Sequence, residues 1–386
     1  MAGPTGRPVY DTGGLATVLP SVARSLGVPS FSEGSAPDRG MLELPPSRRA
    51  VVVLVDGLGH DLLQQRSGHA PFLRTLLPTG RRLVCGFPST TATSMGTFGT
   101  GLPPGGHGLV GFQVLVPGED RLLNELSWEK GPDPLAWQPS ETVFERAEAA
   151  GVEVTRVGPG YFDGSGLTNA ALRGGSFAAA RDLEQRVDLT LERLRLAPRA
   201  LVYLYWGDLD KVGHVHGCRS WQWGDELEAI DAALARLARS VPGDTAVHVT
   251  ADHGMVDVPH EQRIDLAEDP ELAAGIRLVG GEPRGLQLYC EPDAVEDVRQ
   301  TWEARLGSRA LVRTREEAVA LGWFGPVAEH VAPRIGDLVV PMGDDFAIVD
   351  SRFMRPQLVR LLGVHGSLSD AELGIPLLHV PARAVA

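Results

Sequence analysis

The hydrophobic pattern alternates short apolar runs with amphipathic segments, which is typical of an α/β protein with a largely parallel sheet. Three amphipathic segments are predicted as helices: 141–150, 179–196 and 225–240. In the last segment, apolar residues form the single buried stripe that a packed helix requires, at positions 227, 230, 234, 237 and 241. Short apolar runs are predicted as strands: 50–55, 82–87, 152–157, 200–206 and 245–250.

The pattern changes from about residue 258 to residue 345. GLQLYC (285–290) and ALVRT (310–314) are predicted as strands on either side of a helical segment, AVEDVRQTWEARL (294–306). Gly and Pro cluster in loops at the sheet edge rather than in linkers between domains. The sequence therefore predicts one α/β domain over 1–386, with a largely parallel central sheet flanked by helices. A small α+β lobe is predicted to be inserted in it at 258–345.

Composition limits the partners. The 386 residues include 36 Lys and Arg against 49 Asp and Glu, a formal charge of −13. This charge argues against long nucleic acid or an anionic membrane as the main partner, because both would repel the protein. No apolar run approaches the roughly 20 residues of a membrane helix, and the first residues lack the apolar core of a secretion signal. The three scattered cysteines indicate neither a disulfide framework nor a thiolate zinc site, so we expect a cytoplasmic protein.

Three of the predicted strands run directly into acidic residues. Asp56 follows 50–55, Asp208 and Asp210 follow 200–206, and Asp252 follows 245–250. Ligands of open α/β sheets bind outside the carboxyl ends of the strands, so these carboxylates would gather at one edge and repel each other. A divalent cation between them would remove that repulsion. For Asp56 taken alone, a helix cap or a turn residue is an equally good interpretation.

Two Asp/His pairs add to this signal. Asp210 and His214 are four residues apart, which places both on one face of a helix, and Asp252 is followed directly by His253. Carboxylate and imidazole ligands suit zinc or manganese. His365 lies in a glycine-flanked loop beyond the predicted lobe. Lone histidines elsewhere are interpreted as structural: His107, His248 and His379.

A Ser/Thr-rich run, FPSTTATSMGTFGTGLPPGGHGLVG (87–111), opens a predicted helix at 90–100. A hydroxyl at a helix N-terminus meets oriented backbone N–H groups, a setting that favours phosphate and an attacking alkoxide. Taken alone, the run is better explained by threonines that cap the helix, because Ser/Thr-rich helix starts are common. Its meaning therefore depends on the other residues.

Taken in this order, these residues resemble one family. Asp56, the Thr-rich helix start, Asp210-x-x-x-His214, Asp252-His253 and His365 resemble the alkaline phosphatase superfamily, and within it the nucleotide pyrophosphatase/phosphodiesterase branch. The resemblance spans about 50–365. It implies an alkaline-phosphatase-like fold and a metal-dependent phosphoester hydrolase, above all a phosphodiesterase or nucleotide pyrophosphatase, acting on a small phosphorylated substrate.

The resemblance also implies roles for individual residues. The nucleophile, judged from its spacing to Thr100-Gly101, is Thr91, with Thr90 as the second choice. Tyr205 falls where relatives often hold an aromatic ring against the leaving group or base. Two divalent ions are expected, zinc before manganese. One would be bound by Asp56, Asp252, His253 and the nucleophile, and the other by Asp210, His214 and His365.

Two departures from the family pattern leave the substrate open. Phe112 stands where the phosphodiesterases usually carry an asparagine that holds a phosphate oxygen, and Ala92 stands where they tend to place an aromatic residue. Gln113, next to Phe112, is predicted to bind substrate as the replacement donor. A phosphomonoesterase, a phosphonate hydrolase or a phosphotransferase on the same core is therefore an alternative. Outside enzymes, the alternative is a metal-binding regulatory protein; the oligomeric state is also open.

Overall fold

The computed structural model describes residues 8, 10, 13–29, 41–343 and 345–383. The strands are β1 Arg49–Val55, β2 Arg81–Val84, β3 Gln113–Leu115, β4 Leu122–Asn124, β5 Glu153–Gly158, β6 Ser176–Ala179, β7 Ala200–Trp206, β8 Thr245–Thr250, β9 Val256–Asp257, β10 Arg263–Asp265, β11 Ile276–Glu282, β12 Gly285–Cys290, β13 Arg313–Thr314, β14 Leu338–Pro341, β15 Ala347–Val349, β16 Gly363–Val364 and β17 Gly374–Val380.

The helices flank these strands, and several are single turns. They are α1 Val18–Ser25, α2 His60–Gln65, α3 Pro71–Leu76, α4 Thr91–Thr100, α5 Pro104–His107, α6 Pro134–Trp137, α7 Val143–Ala149, α8 Gly166–Ala171, α9 Leu183–Leu196, α10 Asp208–His216, α11 Trp221–Ser240, α12 Pro270–Ala273, α13 Val295–Leu306, α14 Arg315–Ala320, α15 Pro356–Val359 and α16 Asp370–Leu373. In the part of the chain that the structure describes, no helix combines the length and the apolar character needed to cross a membrane.

The central sheet has seven strands in the order β2-β17-β8-β1-β7-β5-β6. The five strands from β8 to β6 run parallel, and β17 is antiparallel to both of its neighbours. Nearly all of β1 is buried, as expected for a strand that helices cover on both faces. The prediction of a largely parallel α/β sheet is confirmed. The three central strands of the sheet, β7-β1-β8, are the ones that the acidic residues Asp210, Asp56 and Asp252 follow in the sequence.

Two predicted helices begin at different residues from those expected. The segment predicted as one helix over 179–196 instead ends a strand, β6, at Ala179, and helix α9 begins only after Asp182. The Asp182 side chain caps that helix by accepting a hydrogen bond from the Gln185 N–H. Helix α11 begins at Trp221, four residues earlier than expected, because Ser220 caps it by accepting from the Trp223 N–H.

A second, smaller sheet lies within the region predicted as a lobe. Strands β11, β12, β14 and β13 form it in that order, all antiparallel. Helix α13 contributes Trp302 to an apolar cluster of this region's own. The run 310–314, predicted as a strand, pairs regularly only at Arg313–Thr314. The exact boundaries of the lobe, 258–345, stay a prediction.

A buried ion pair fixes the small sheet against the large one. Arg284, in the turn between β11 and β12, donates from Nε and Nη2 to the two carboxylate oxygens of Glu372, each at 2.8 Å. Both side chains are fully buried, and Glu372 belongs to α16, directly before β17 of the central sheet. This bidentate contact sets where the β11–β12 turn meets the main domain.

Candidate active site

The carboxyl ends of β7, β1 and β8, with the residues that follow them, form the edge that we call the rim. Asp56 follows β1, Asp252 comes two residues after β8, and Asp210 lies in the first turn of α10 after β7. The backbone approaches closely here: Gly57 has φ +72°, and a Cβ at that position would lie 3.1 Å from the Cβ of Asp210. Glycine is therefore required at 57 for the three acidic side chains to meet.

The first candidate ligand group consists of Asp56, Asp252 and His253, whose ligand atoms all lie within 4.8 Å of one another. The Nε2 atom of His253 is 3.5 Å from Oδ1 of Asp56 and 3.4 Å from Oδ2 of Asp252. Its Nδ1 atom faces the Gly254 carbonyl at 3.0 Å and is assigned as the donor. The Nε2 lone pair therefore points toward the carboxylates, as a metal ligand requires.

The second candidate ligand group consists of Asp210, His214 and His365. Asp210 and His214 share one face of α10, with 3.2 Å between the carboxylate and Nε2. In both histidines, Nδ1 faces a backbone carbonyl oxygen. This oxygen belongs to Gly363 for His214, at 2.7 Å, and to Ser89 for His365, at 2.8 Å. Their Nε2 atoms are thus the ones left for a cation. The ring of His365 also stacks on that of His253, 3.8 Å between centroids, so the two groups adjoin.

Thr91 lies beside both groups as the first residue of α4. Its Oγ1 is 3.3 Å from Nε2 of His253. Other hydroxyls of the Ser/Thr run have different partners: Ser94 donates to the Asp252 carbonyl, and Ser89 donates to the Ser367 carbonyl. Thr90 occupies the N-cap position and also lines the cavity described below. The structure thus places the two candidate nucleophiles next to each other, with Thr91 the one in contact with a predicted ligand.

The charges at the rim fit divalent cations. Each aspartate of the two candidate ligand groups has a buried carboxylate oxygen without a hydrogen-bond partner: Oδ1 of Asp56, Oδ1 of Asp210 and Oδ2 of Asp252. Burial, together with the charge of Asp252, raises the pKa of Asp56 well above its usual range. Burial and the charge of Asp210 raise the pKa of Asp252 in the same way. Ionised carboxylates are costly here without a counter-charge, and the carboxylate and imidazole donors are those that zinc prefers.

A cavity of about 650 Å³ opens beside Thr91 and runs along one face of the sheet. Tyr205 lines it, donates its hydroxyl to Oδ2 of Asp56, and packs edge-on against Phe162 at 5.4 Å. Phe112 lines the cavity as well. Gln113 lies on β3, paired with Asn124, and is not among the described residues that line the cavity. Its role in substrate binding stays a prediction that no contact supports.

A family model covers most of the chain: the model described as type I phosphodiesterase / nucleotide pyrophosphatase matches residues 50–368. This chain belongs to that family. The resemblance stated above is therefore confirmed, as is the coarse prediction of a hydrolase of the phosphodiesterase and nucleotide pyrophosphatase type. The predicted cytoplasmic location stays a prediction.

One curated relative is an uncharacterised pyrophosphatase/phosphodiesterase of Schizosaccharomyces pombe, 26% identical over 238 residues. The match covers 58% of this chain and 48% of the yeast protein, so the chain spans about half the length of that relative.

Solved structures of this family share the fold. Murine ectonucleotide pyrophosphatase/phosphodiesterase 5 has a TM-score of 0.70 and 19% identity, over 85% of this chain and 87% of that chain. An inactive threonine-to-alanine variant of the murine protein, in complex with AMP, has a TM-score of 0.70 and 18% identity, covering 86% and 87%. The human protein has a TM-score of 0.69 and 18% identity, covering 86% and 88%. The alkaline-phosphatase-like fold is thereby confirmed.

Sequence reasoning missed one carboxylate of this phosphodiesterase-family site. Glu282, the last residue of β11, lines the cavity and places Oε2 3.3 Å from Nδ1 of His365. Burial raises the pKa of this carboxyl well above its usual range. A hydrogen bond with Thr90 lowers the pKa, but its effect is smaller than that of burial. The run GGEPRG indicates a turn, but no local pattern shows that this turn of the small lobe reaches the rim.

Proposed function

We propose that this chain hydrolyses phosphodiester or pyrophosphate bonds of a small, nucleotide-like substrate, with Thr91 as the nucleophile. The observation that carries the proposal is the position of the Thr91 hydroxyl, 3.3 Å from Nε2 of His253 and beside two adjoining groups of ligands. Six protein ligands with three aspartates suit two divalent cations, zinc before manganese.

Each ligand group would hold one cation. Asp56, Asp252, His253 and the Thr91 oxygen would bind the first, and Asp210, His214 and His365 the second. Such cations lower the pKa of a coordinated hydroxyl and neutralise the charge that develops on the phosphoryl oxygens.

The chain's own residues orient the reaction. Thr91 begins the ten-residue helix α4, so the free backbone N–H groups of its first turn face the incoming phosphate. The Tyr205 hydroxyl holds Oδ2 of Asp56, which leaves Oδ1 free for a cation. The Thr91 oxygen would form a bond to phosphorus as the P–O bond to the leaving group breaks, and the leaving group would depart with the proton of the Thr91 hydroxyl. Water would then cleave the threonine–phosphate ester, release the phosphate that keeps the substrate's other group, and restore the hydroxyl.

The comparisons support a threonine nucleophile and a nucleotide-like substrate. The murine relative is inactive as a threonine-to-alanine variant, and that variant was solved in complex with AMP. A planar base also suits the aromatic part of the cavity wall, where Tyr205 and Phe162 pack together.

The test compares Thr91→Ala, Thr91→Ser and Thr90→Ala with bis-p-nitrophenyl phosphate and p-nitrophenyl phosphate as substrates, together with elemental analysis of bound metal. We expect the wild type to prefer the diester, Thr91→Ala to lose turnover while its metal content stays near that of the wild type, and Thr91→Ser to keep part of the activity. Full turnover in Thr91→Ala would assign the nucleophile elsewhere, to Thr90 if Thr90→Ala is inactive. A preference for the monoester would replace the phosphodiesterase by a phosphomonoesterase.

A further inference from the structure

The wall of the cavity beside Thr91 is mostly apolar, but Arg156 also lines it. We propose that the Arg156 guanidinium binds an oxygen acceptor at the far end of the substrate's planar or apolar group. The enzyme would then select phosphodiesters whose retained group ends in a carbonyl or a carboxylate. This inference rests on the proposed function, and it adds a residue that determines which substrates the site accepts.

Strand register fixes the depth of Arg156 relative to the rim. Arg156 on β5 is the Cα partner of Tyr203 on β7, and Tyr205, two residues further along β7, contacts Asp56 at the rim. Partners in a parallel sheet point to the same face, and two residues of a strand span roughly 6.6 Å. Arg156 therefore lies one side-chain level deeper than Tyr205, on the same face of the sheet.

Helix α4 gives the same depth independently. The Tyr203 hydroxyl contacts Sδ of Met95 at 3.5 Å, and Met95 is one turn, roughly 6 Å, beyond Thr91. Both Met95 and Tyr203 line the cavity. We call this deeper level, formed by Met95, Arg156, Phe177 and Tyr203, the inner end of the cavity.

The guanidinium of Arg156, a half-buried residue, has few partners in the described part of the chain. Nη2 donates to the Gly175 carbonyl at a long 3.4 Å, and the guanidinium lies over the ring of Phe177 at 5.7 Å. Its Nε is buried and has no partner, and no carboxylate of a described residue pairs with it. Burial lowers its pKa, although the more distant charges of Asp163 and Glu148 oppose this. A guanidinium offers five N–H donors, so an acceptor brought by a ligand would relieve a real deficit.

The chemistry of the inner end selects one class of group. Arg156 has only donors and a positive charge, so it donates hydrogen bonds to carbonyl and carboxylate oxygens and repels a cationic group such as a quaternary ammonium. Met95, Phe177 and Leu172 supply apolar walls for the body of the group. The volume of about 650 Å³ lies within the range of small-molecule sites. A group without an acceptor would bury the guanidinium unpaired, and buried polar groups left unpaired are what make such sites discriminate.

The test uses three p-nitrophenyl diesters that differ in the retained group. These are the ester of thymidine 5′-phosphate with a ring carbonyl, the 4-carboxyphenyl phosphate ester, and the phenyl phosphate ester, which has no acceptor. Arg156→Met keeps the apolar stem, and Arg156→Lys keeps the charge without the planar fork. Arg181→Met is the matched control, because Arg181 is exposed and does not line the cavity.

We expect Arg156→Met to lower kcat/KM by about 10- to 100-fold for esters that carry an acceptor, and by less than about threefold for the phenyl ester. A loss confined to the thymidine ester identifies a carbonyl as the acceptor, and a loss confined to the carboxyphenyl ester identifies a carboxylate. Equal losses for all three esters, or no loss for any, would overturn the proposal. Arg181→Met should behave as the wild type.

A binding measurement separates this inference from the proposed mechanism. In the Thr91→Ala background, calorimetry with thymidine 5′-phosphate, 4-carboxyphenyl phosphate and phenyl phosphate reports binding without turnover. Arg156→Met should weaken binding of the acceptor-bearing ligand identified above and leave phenyl phosphate unchanged, even if Thr91 is not the nucleophile. Unchanged binding of all three ligands would reject the role of Arg156 whatever the turnover shows. Thermal unfolding checks that each variant is folded.

Discussion

The rim and the inner end of the cavity lie about two residues of β-strand apart, yet their side chains differ in charge and polarity. At the rim, three neighbouring strands end in carboxylates, and histidines complete two ligand groups. At the inner end, Met95, Tyr203 and Phe177 line the cavity together with Arg156, whose guanidinium lies over the ring of Phe177. On the proposed function, the rim would carry the chemistry common to every substrate, whereas the face of the sheet would carry contacts that depend on the group attached to phosphorus.

Substitutions in the two regions should therefore affect turnover differently. A change at the rim should lower turnover of all phosphodiesters together, because each of them must react there. A substitution at the inner end should change the order of the substrates by kcat/KM. A rim variant that altered selectivity alone, or an inner-end variant that abolished all turnover without unfolding, would contradict the division.

Metal removal should have the largest effect. Dialysis against a chelator should reduce turnover of every diester to background. Burial and mutual repulsion raise the pKa values of Asp56 and Asp252, so these carboxylates need the counter-charge that divalent cations would supply. Adding back zinc or manganese should restore turnover, and the better ion identifies the metal. Circular dichroism is the control for unfolding. Turnover that persists after elemental analysis shows no bound metal would contradict both the ligand groups and the mechanism.

Substitution of one predicted metal ligand should have the second-largest effect. Asp210→Asn should lower metal content and turnover together, by more than the roughly 100-fold that loss of an outer hydrogen bond to a ligand costs. Asp208→Asn is the control, since Asp208 is on the same helix but pairs with Lys211 at the surface. Elemental analysis and kcat/KM for two diesters provide the measurements. Normal metal content in Asp210→Asn would remove Asp210 from the second ligand group.

The buried ion pair between the two sheets should matter for stability. Arg284→Met leaves the Glu372 carboxylate buried without its bidentate partner, which costs about 3–5 kcal/mol in the free energy of unfolding. Urea denaturation measures this, and Arg315→Met, at a half-exposed pair with Asp337, should cost far less. Equal stability of Arg284→Met and the wild type would show that the lobe is held by its apolar contacts instead.

Glu282 tests whether the small lobe contributes to the rim. Glu282→Gln removes the carboxylate that lies 3.3 Å from Nδ1 of His365, and such partners of a metal-binding histidine change metal affinity by roughly 10- to 100-fold. We expect weaker binding of one of two cations in a metal titration, with turnover recovered at high metal concentration. Glu316→Gln removes an exposed charge from the same lobe and serves as the control. Unchanged affinity would make Glu282 a residue of the cavity wall only.

The predictability of the two regions differs for a physical reason. Five of the six candidate ligands have a local signal in the sequence, either a strand that runs into an acid or an Asp/His pair at adjacent or helical spacing. His365 has no such signal, and only the resemblance to the family pointed to it. Arg156 has none, since it lies inside the strand predicted at 152–157, and its exposure depends on which strands flank it. Glu282 lies two residues before Arg284, whose partner Glu372 is 88 residues further along the chain, and no short pattern encodes such a long-range contact.

Substitution of Gln113 should have the smallest effect on turnover, because the residue lies outside the cavity. Its place in the sequence, beside the Phe112 that replaces a family asparagine, predicts a phosphate-binding donor. The structure puts it on β3 opposite Asn124, outside the cavity that Phe112 lines. Substitutions away from a site usually change free energies by less than about 0.5 kcal/mol, so Gln113→Ala should alter kcat/KM for any diester by less than about threefold. Phe112→Ala, which removes part of the cavity wall, should change the ranking of substrates more. A tenfold loss in Gln113→Ala, uniform across diesters, would contradict this expectation and support the predicted substrate-binding role of Gln113.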